Sequence, residues 1–498
     1  MKKEKLLTFI IATIIAYWSV TFSAQPEETV IIHWNDFHTA NIPYKPFYEN
    51  PGGIFVGGYA NLAGYIDSLK GEYSDAITLN AGDDYQGSPI SSITKGMSQI
   101  LILNKVMPTV FTLGNHEFDY GVDNLKNALN TAKFHVVSSN IYDSTKSDLL
   151  VDPYVIVYSG KVRIAVIGFI LKDLKQSVLQ GAVKGMGILD PLETVNKYIE
   201  EVNDKSDLIV VLSHNGFESD SLLALQLSGV DLIIGGHSHT ILHQPVVVNN
   251  ILICQAGSHG RFVGLLDAQV NIEKKKIESY EYKLIETELG KVRPSKPVAH
   301  VVDSLEATIE KEMNKTIGTL KTPWIRNSRG ESNVGNWVTD VMRNSFDADI
   351  AFQNSGGIRK GLGAGPIKVR DIWEISPFDN TIMKVTVTGS QLKNLLQWRI
   401  KNPRDLLQVS GLSVVYNSRT KKLISTKVNG KPIKNKRKYT FVTNSYVVGH
   451  FRRFFGIRPE DVKIESTGII GREPLIRAVK NQGIIESSLE DRLVDIAK

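Results

Sequence analysis

Thr109-Val110-Phe111-Thr112-Leu113 is an apolar, β-branched run that breaks off at Gly114-Asn115-His116, and the same pattern recurs along the first half of the chain. Val30 to Asp36 (VIIHWND), Ala76 to Asp83 (AITLNAGD), Ile164 to Phe169 (IAVIGF), Leu208 to Asn215 (LIVVLSHN) and Leu232 to His239 (LIIGGHSH) repeat it. Continuous apolar runs of this length read as buried strands. Between them, Asn61 to Lys70 and Pro191 to Asn203 are amphipathic at helical spacing. Strands alternating with helices predict an α/β fold from Thr29 to about Val270.

Further along, Glu286 to Pro297 is polar and carries Gly290, Pro294 and Pro297, which reads as a linker. Leu305, Ile309 and Met313 then recur at helical spacing within Val301 to Lys315, predicting a connecting helix. From Ile317 a second, α+β pattern begins. Its strand candidates are IAFQN (Ile350 to Asn354), MKVTVTG (Met383 to Gly389), LSVVY (Leu412 to Tyr416) and KYTFVTN (Lys438 to Asn444), with a helix at Gln391 to Arg399.

The 498 residues suit two or three domains, and 42% apolar with 22% charged residues excludes global disorder and a collagen-like chain. A net charge of +6 is mild, and the longest basic clusters, Lys274 to Lys276 and Lys434 to Lys438, are short solvated segments rather than a nucleic-acid stripe. Cys254 is the only cysteine, so no intrachain disulfide forms, and within ILICQ it reads as a small buried hydrophobe.

Lys2, Lys3 and Lys5 precede an apolar run from Leu6 to Phe22, followed by Pro26, Glu27 and Glu28. That is the layout of a secretory signal peptide over residues 1–24, the alternative being an uncleaved anchor helix. Export to a bacterial periplasm or cell envelope is therefore expected, with no stable membrane partner once the signal is removed.

Nine of the 11 histidines fall in the first 260 residues. Asp36/His38, Asp83, Asn115/His116, His214 and His237/His239 each lie at the carboxyl end of an apolar run, the place where open α/β sheets bind ligands. Five strands of one sheet system would thus point their loops at a common site. Imidazole, carboxylate and amide ligands suit Zn, Mn or a similar divalent ion, and the lack of thiolates argues against a closed structural zinc site. With His116 set aside for catalysis, seven ligands exceed the need of one tetrahedral ion. Two ions sharing one carboxylate would use them all, an arrangement suited to in-line phosphoryl displacement.

Asn35 to His38 (NDFH), Gly82-Asp83, Gly114 to Asp119 (GNHEFD), His214-Asn215-Gly216, Gly236 to His239 (GHSH) and Gln255 to Gly264 (QAGSHGRFVG) resemble the metallophosphatase domain of the 5′-nucleotidase family. Glu331 to Asp340 (ESNVGNWVTD), Asn354 to Arg359 (NSGGIR) and Pro377 to Asn380 (PFDN) resemble that family's C-terminal domain. The resemblance implies a metallophosphoesterase sandwich of two sheets flanked by helices over residues 27–290, a linker and connecting helix over 291–316, and an α+β substrate-recognition domain over 317–498. It implies that Asp36, His38 and His239 hold one metal, that Asp83 bridges, and that Asn115, His214 and His237 hold the second. His116 and Asp119 would form a catalytic dyad. Asn354 and Arg359 would contact substrate phosphate, and Phe378 and Tyr446 would sandwich a base, although both aromatics also suit ordinary core packing.

Two departures from the family pattern bear on substrate. An expected arginine three residues before Glu331 is Ser328, with Arg326 and Arg329 nearby, and the expected ribose-binding Gly-Gly-Asp is replaced by Gly449 to Phe455 (GHFRRFF). If Arg452 and Arg453 face the cleft, substrates with extra negative charge are favoured; otherwise they point to solvent. The leading expectation is an exported phosphohydrolase that cleaves nucleotide phosphate esters by attack of a metal-activated water. Its rivals keep the metals but take a nucleotide sugar, cyclic nucleotide or non-nucleotide ester, or make the chain a decayed envelope nucleotide-binding protein.

Overall fold

The computed structural model describes residues 25–46, 53–179, 181–403 and 406–497; the signal segment expected over residues 1–24 lies outside them. The strand candidates of the first half form as expected. Among the described residues they fill two six-stranded sheets.

The first sheet is built on β1 (Glu27–Trp34), β2 (Ile77–Asn80), β3 (Val110–Thr112) and β4 (His135–Val137), all parallel to their neighbours. The second runs β5 (Tyr154–Ser159), β6 (Val162–Ile170), β7 (Leu208–His214), β8 (Leu232–Gly235), with β9 (Val246–Val248) outside β10 (Ile251–Cys254). Strands β11 (Phe262–Asn271) and β12 (Lys276–Glu286) return antiparallel to close the first sheet beside β1. The five site-bearing strands therefore belong to two facing sheets, three to one and two to the other, rather than to one continuous sheet. The reason is burial. Ile31, Leu79 and Val110 from the first sheet and Val166, Val210, Leu212 and Ile234 from the second share one apolar core, and the buried thiol of Cys254 lies in it. Strands with both faces apolar need a second layer on each side, and helices supply the outer ones.

Helix α1 (Tyr59–Glu72) packs on the first sheet through Tyr59, Leu62 and Ile66. The connecting segment is helical earlier than its spacing suggests. Helix α2 (Lys296–Ala307) starts at Lys296-Pro297, where proline at the second helical position costs no hydrogen bond. The helix then breaks at Thr308-Ile309 before a short turn at Glu310–Met313. Val298 and Val302 bury it against the first half.

In the second half, β13 (Ile350–Asn354), β14 (Thr381–Thr388), β15 (Leu407–Ser410), β16 (Lys438–Asn444) and β17 (Lys463–Ile470) form a sheet in the order β15-β13-β16-β14-β17. The two-residue period is visible in β13. Ile350 and Phe352 face one core, and Ala351 faces the other, which is covered by α3 (Asn333–Ser345) and α4 (Arg472–Gln482). The expected helix extends over Gly389–Lys401, started by a reciprocal capping pair between Thr388 and Gln391. LSVVY lies in a separate small sheet.

One contact in the first sheet sets how β1 meets β11. His33 pairs in register with Gly264, and a Cβ at Gly264 would fall within bonding distance of the imidazole, which also meets the Tyr282 hydroxyl at 3.2 Å. Gly264→Ala should therefore overpack this strand pair and lower stability by about 1–3 kcal/mol in urea unfolding. His33 offers a second check. Burial pushes its pKa from 6.5 down to about 3, so between those values the unfolded chain binds the proton that the folded chain refuses. Stability should fall as pH drops through that window, and His33→Phe should make the urea midpoint less dependent on pH there.

Candidate active site

Because β1, β2, β3, β7 and β8 end at one edge of the sandwich, their terminal residues converge there. Asp36 and His38 follow β1, Asp83 follows β2, and Asn115 and His116 follow β3. His214 is the last residue of β7 rather than a loop residue, and His237 and His239 follow β8. All seven proposed ligands and His116 thus lie at one location.

Their side chains form two groups, and a third, of His38, Asp83 and His116, overlaps both. Asp36, His38 and His239 bring one ligand atom each within 4.8 Å of one another, as do Asp83, His214 and His237. In the first group His38 Nε2 faces His239 Nε2 at 2.9 Å, and Asp36 Oδ1 lies 3.9 Å from the former and 3.4 Å from the latter. In the second, His214 Nε2 is 3.1 Å from Asp83 Oδ2, and the Asn115 amide oxygen is 2.9 Å from His237 Nδ1. Asp83 Oδ2 also lies 3.9 Å from His38 Nε2, which places this carboxylate between the groups.

The donor set fits divalent ions. His214 donates through Nδ1 to Ala81 O at 2.7 Å, which fixes the ring and turns the buried Nε2 inward toward Asp83. Burial lowers the pKa of His38 well below the usual imidazole range, with Arg359 adding to the effect, and brings His237 to about 4, so both rings present lone pairs. Burial opposes protonation of His214 as well, yet Asp83 and Asp36 beside it lift it to about 10. Burial would raise Asp83, but His214 and His116 hold it well below the usual carboxylate range.

Asp36, His38, Asp83, His237 and His239 all have positive φ, from 49° to 74°. Left-handed backbone is uncommon for residues with a Cβ and is concentrated where a site is over-determined by its surroundings.

Beside these groups, His116 Nδ1 meets Asp119 Oδ2 at 2.6 Å, while the His116 backbone N–H donates to Asp83 Oδ1 at 2.8 Å. Burial would lower the His116 pKa, but Asp119 and Asp83 raise it above the usual value. Two residues not singled out from sequence act here. Gln86, buried and at φ 64°, donates to Asp119 Oδ2 at 3.2 Å, and buried Glu117 anchors the Asp83 loop by its backbone. Glu117 lies inside the GNHEFD segment, but an acid whose partners are all backbone N–H groups leaves no side-chain partner in the sequence to mark it.

The second half reaches the same place. Arg359 Nη2 stands 3.2 Å from His38 Nε2, with its guanidinium 6.0 Å from the Phe378 ring, and Phe378 stacks on His116 at 5.8 Å. Asn354 ends β13, and its side-chain oxygen accepts from Asn444 at 2.8 Å. Tyr446 packs instead against His450 and Phe454 and donates to Gln176 O at 2.9 Å, so the two aromatics have different partners. Arg452 and Arg453 are exposed, and Arg453 donates to the same Gln176 carbonyl at 3.0 Å.

Residues 29–240 match the calcineurin-like phosphoesterase family and residues 316–456 the 5′-nucleotidase C-terminal domain, together more than two thirds of the chain. A crystal structure of a 5′-nucleotidase precursor from Thermus thermophilus superposes with a TM-score of 0.87 and 26% identity, over 95% of this chain and 100% of that one. The chain belongs to the 5′-nucleotidase family. Members of this family are metallophosphoesterases dependent on divalent metals, and this chain is a hydrolase of that class. The probable 5′-nucleotidase of Treponema pallidum is 28% identical over 84% of this chain and 86% of its own length. Endonuclease YhcR of Bacillus subtilis is 25% identical over 90% of this chain, which spans only 39% of that longer protein.

Metal binding to these groups should be visible without any activity. Adding Mn²⁺ or Zn²⁺ to chelator-stripped protein should raise its Tm, by linkage equivalent to about 4 kcal/mol when free ion is a thousandfold above Kd. His214→Ala should remove most of that shift.

Proposed function

We propose that this family member is an exported nucleotide phosphohydrolase that binds two divalent ions. Asp36, His38 and His239 would hold one ion and Asn115, His214 and His237 the other, with the Asp83 carboxylate available to both. The observation that carries the reading is the position of the Asp83 carboxylate between the two ligand groups, with one oxygen 3.1 Å from His214 Nε2 and 3.9 Å from His38 Nε2. When bound, the ions would supply Lewis acidity toward phosphoryl oxygens and lower the pKa of an attacking water.

The chain's own residues do the rest. Asp119 orients the His116 imidazole through Nδ1, leaving Nε2 to hand a proton to the departing ester oxygen. Gln86 holds the Asp119 oxygen that receives His116 and keeps that ring from turning. Arg359, half-buried at the seam beside His38, offers a planar fork to the phosphate, and Asn354 adds a second polar contact. Phe378 and Tyr446 offer rings to a planar base, which requires Tyr446 to work from its contact with Gln176. The phosphoryl group passes directly to water. The lysine-flanked apolar leader supports delivery to the periplasm or cell envelope, and no described helix is long and apolar enough to cross a membrane.

Hydrolysis of AMP and glycerol phosphate, read as inorganic phosphate release, and of UDP-glucose and a 2′,3′-cyclic nucleotide, read as release of the nucleoside monophosphate, with and without Mn²⁺, tests the substrate class. Metal-dependent release from AMP is expected. Release only from glycerol phosphate would overturn the nucleotide assignment, and none from any ester would make the chain a binding protein. His116→Ala should keep its metal-induced Tm shift while losing about 10²- to 10⁴-fold in kcat.

A further inference from the structure

The position of Phe378 is set from behind. Its ring belongs to the irregular segment Pro377-Phe378-Asp379 that follows the helix Val369–Ile375. Arg472, 6% exposed at the start of α4, grips all three residues of that segment. Its Nη1 lies 3.4 Å from Pro377 O and 3.2 Å from Phe378 O, and its Nη2 pairs with the Asp379 carboxylate. The guanidinium stacks 3.7 Å over Trp373, and the preceding Gly471 N–H donates to Asn380 O at 2.8 Å. A planar fork with five donors can serve two carbonyls and a carboxylate at once, whereas an ammonium is a single point.

The grip is referenced to the catalytic half. Trp373 packs with Ile90, Ile309 and Met313 across the seam, and Arg370 pairs with Glu306 of α2 at 2.7 Å, both partly shielded. From the other side Ser92 Oγ donates to the same Pro377 carbonyl at 3.4 Å. Arg472 thus fixes the height of the Phe378 ring over His116 without reaching the ring itself.

We propose that Arg472 is a positioning residue that acts through the Pro377–Asp379 turn to place Phe378 and so sets selectivity for esters with a planar group over esters without one. This rests on the assignment of Phe378 as a stacking platform. The test compares kcat/KM for AMP and for glycerol phosphate in the wild type, Arg472→Ala, Phe378→Ala and the double variant, each loaded with Mn²⁺. Arg472→Ala should lower the AMP-to-glycerol-phosphate ratio about tenfold, chiefly through KM, the scale of one base–aromatic stack. The double variant should match Phe378→Ala alone. Additive losses in the double variant, or an equal loss for both esters, would overturn the proposal. Should Arg472→Ala fail to fold, as shown by its circular dichroism, Arg472→Lys carries the same comparison, since it keeps a cation on Trp373 but cannot hold both carbonyls. If the wild type hydrolyses glycerol phosphate but not AMP, the nucleotide assignment fails on its own. The coupling between Arg472 and Phe378 is then read with p-nitrophenyl phosphate, where additivity again overturns it.

Discussion

A single buried carboxylate holds the catalytic edge together. Glu117 is fully buried and accepts the backbone N–H groups of Asp83, Asp84, Tyr85 and Gly114 at 2.7–3.1 Å. These donors come from the ends of two neighbouring strands, so one side chain ties the β2 loop to the β3 loop. Burial and the nearby Asp83 charge push Glu117 up to about 7, while the N–H donors pull the other way. Removing the carboxylate would leave those donors unpaired in a site closed to water, which is costlier than the loss of an ordinary hydrogen bond. Asn80 continues the frame by accepting from Gly82 N at 3.0 Å and pairing with Asp84, which in turn takes the Tyr59 hydroxyl of α1. The position of Asp83 between the two groups is therefore fixed from beneath, through its own backbone.

The same frame explains why so many site residues occupy left-handed backbone. Each such residue costs of order 1–3 kcal/mol, and the cost is sustained only where neighbouring bonds permit no relaxation. Asp36 and His38 show how that happens. Their backbone N–H groups donate to Gly82 O and Asp83 O at 2.9 Å, and the Asp36 carboxylate receives the His237 N–H at 2.9 Å, so the loops of β1, β2 and β8 lock one another. Gly114 has to lack a side chain for the same reason, since a Cβ there would strike the Asp83 backbone and carboxylate. Ligand geometry is thus set by main-chain bonds rather than by the ligands' own side chains.

This division also explains what the sequence could and could not say. Apolar period and strand-end chemistry are local signals, so IAFQN and KYTFVTN were legible as β13 and β16 residue for residue, and Asp36, His38, Asp83, Asn115, His214, His237 and His239 stood out as a set. That these strands divide between two sheets was not legible from the runs, because an apolar strand reads the same whether its partner layer is a helix or another sheet. Glu117 stands in a motif without a role legible there, since a buried acid that binds only backbone leaves no partner residue to notice. Arg472 lay beyond any local reading. Its partners Trp373, Pro377 and Asp379 are about ninety residues away, and only the antiparallel return of β17 beside β14 brings α4 to them.

The two halves of the molecule meet through bonds of a different strength. From the dyad, Gln86 Oε1 accepts from Tyr120 at 3.4 Å, Tyr120 reaches Ser92 at 3.3 Å, and Ser92 reaches Pro377 O at 3.4 Å. Across the seam Tyr446, His450 and Arg453 place their donors on the carbonyls of Lys175 and Gln176 at 2.9–3.2 Å. Neutral, long or solvent-reached hydrogen bonds of this kind contribute about 0.5–1.5 kcal/mol each, and water replaces them readily. The Glu117 bonds lie in a fully buried setting where water cannot. The strand-end loops are consequently held rigidly within the first half, while the contacts that Tyr446, His450 and Arg453 make across the seam are exchangeable. The seam can therefore adjust while the groups at the strand ends behind it stay in place.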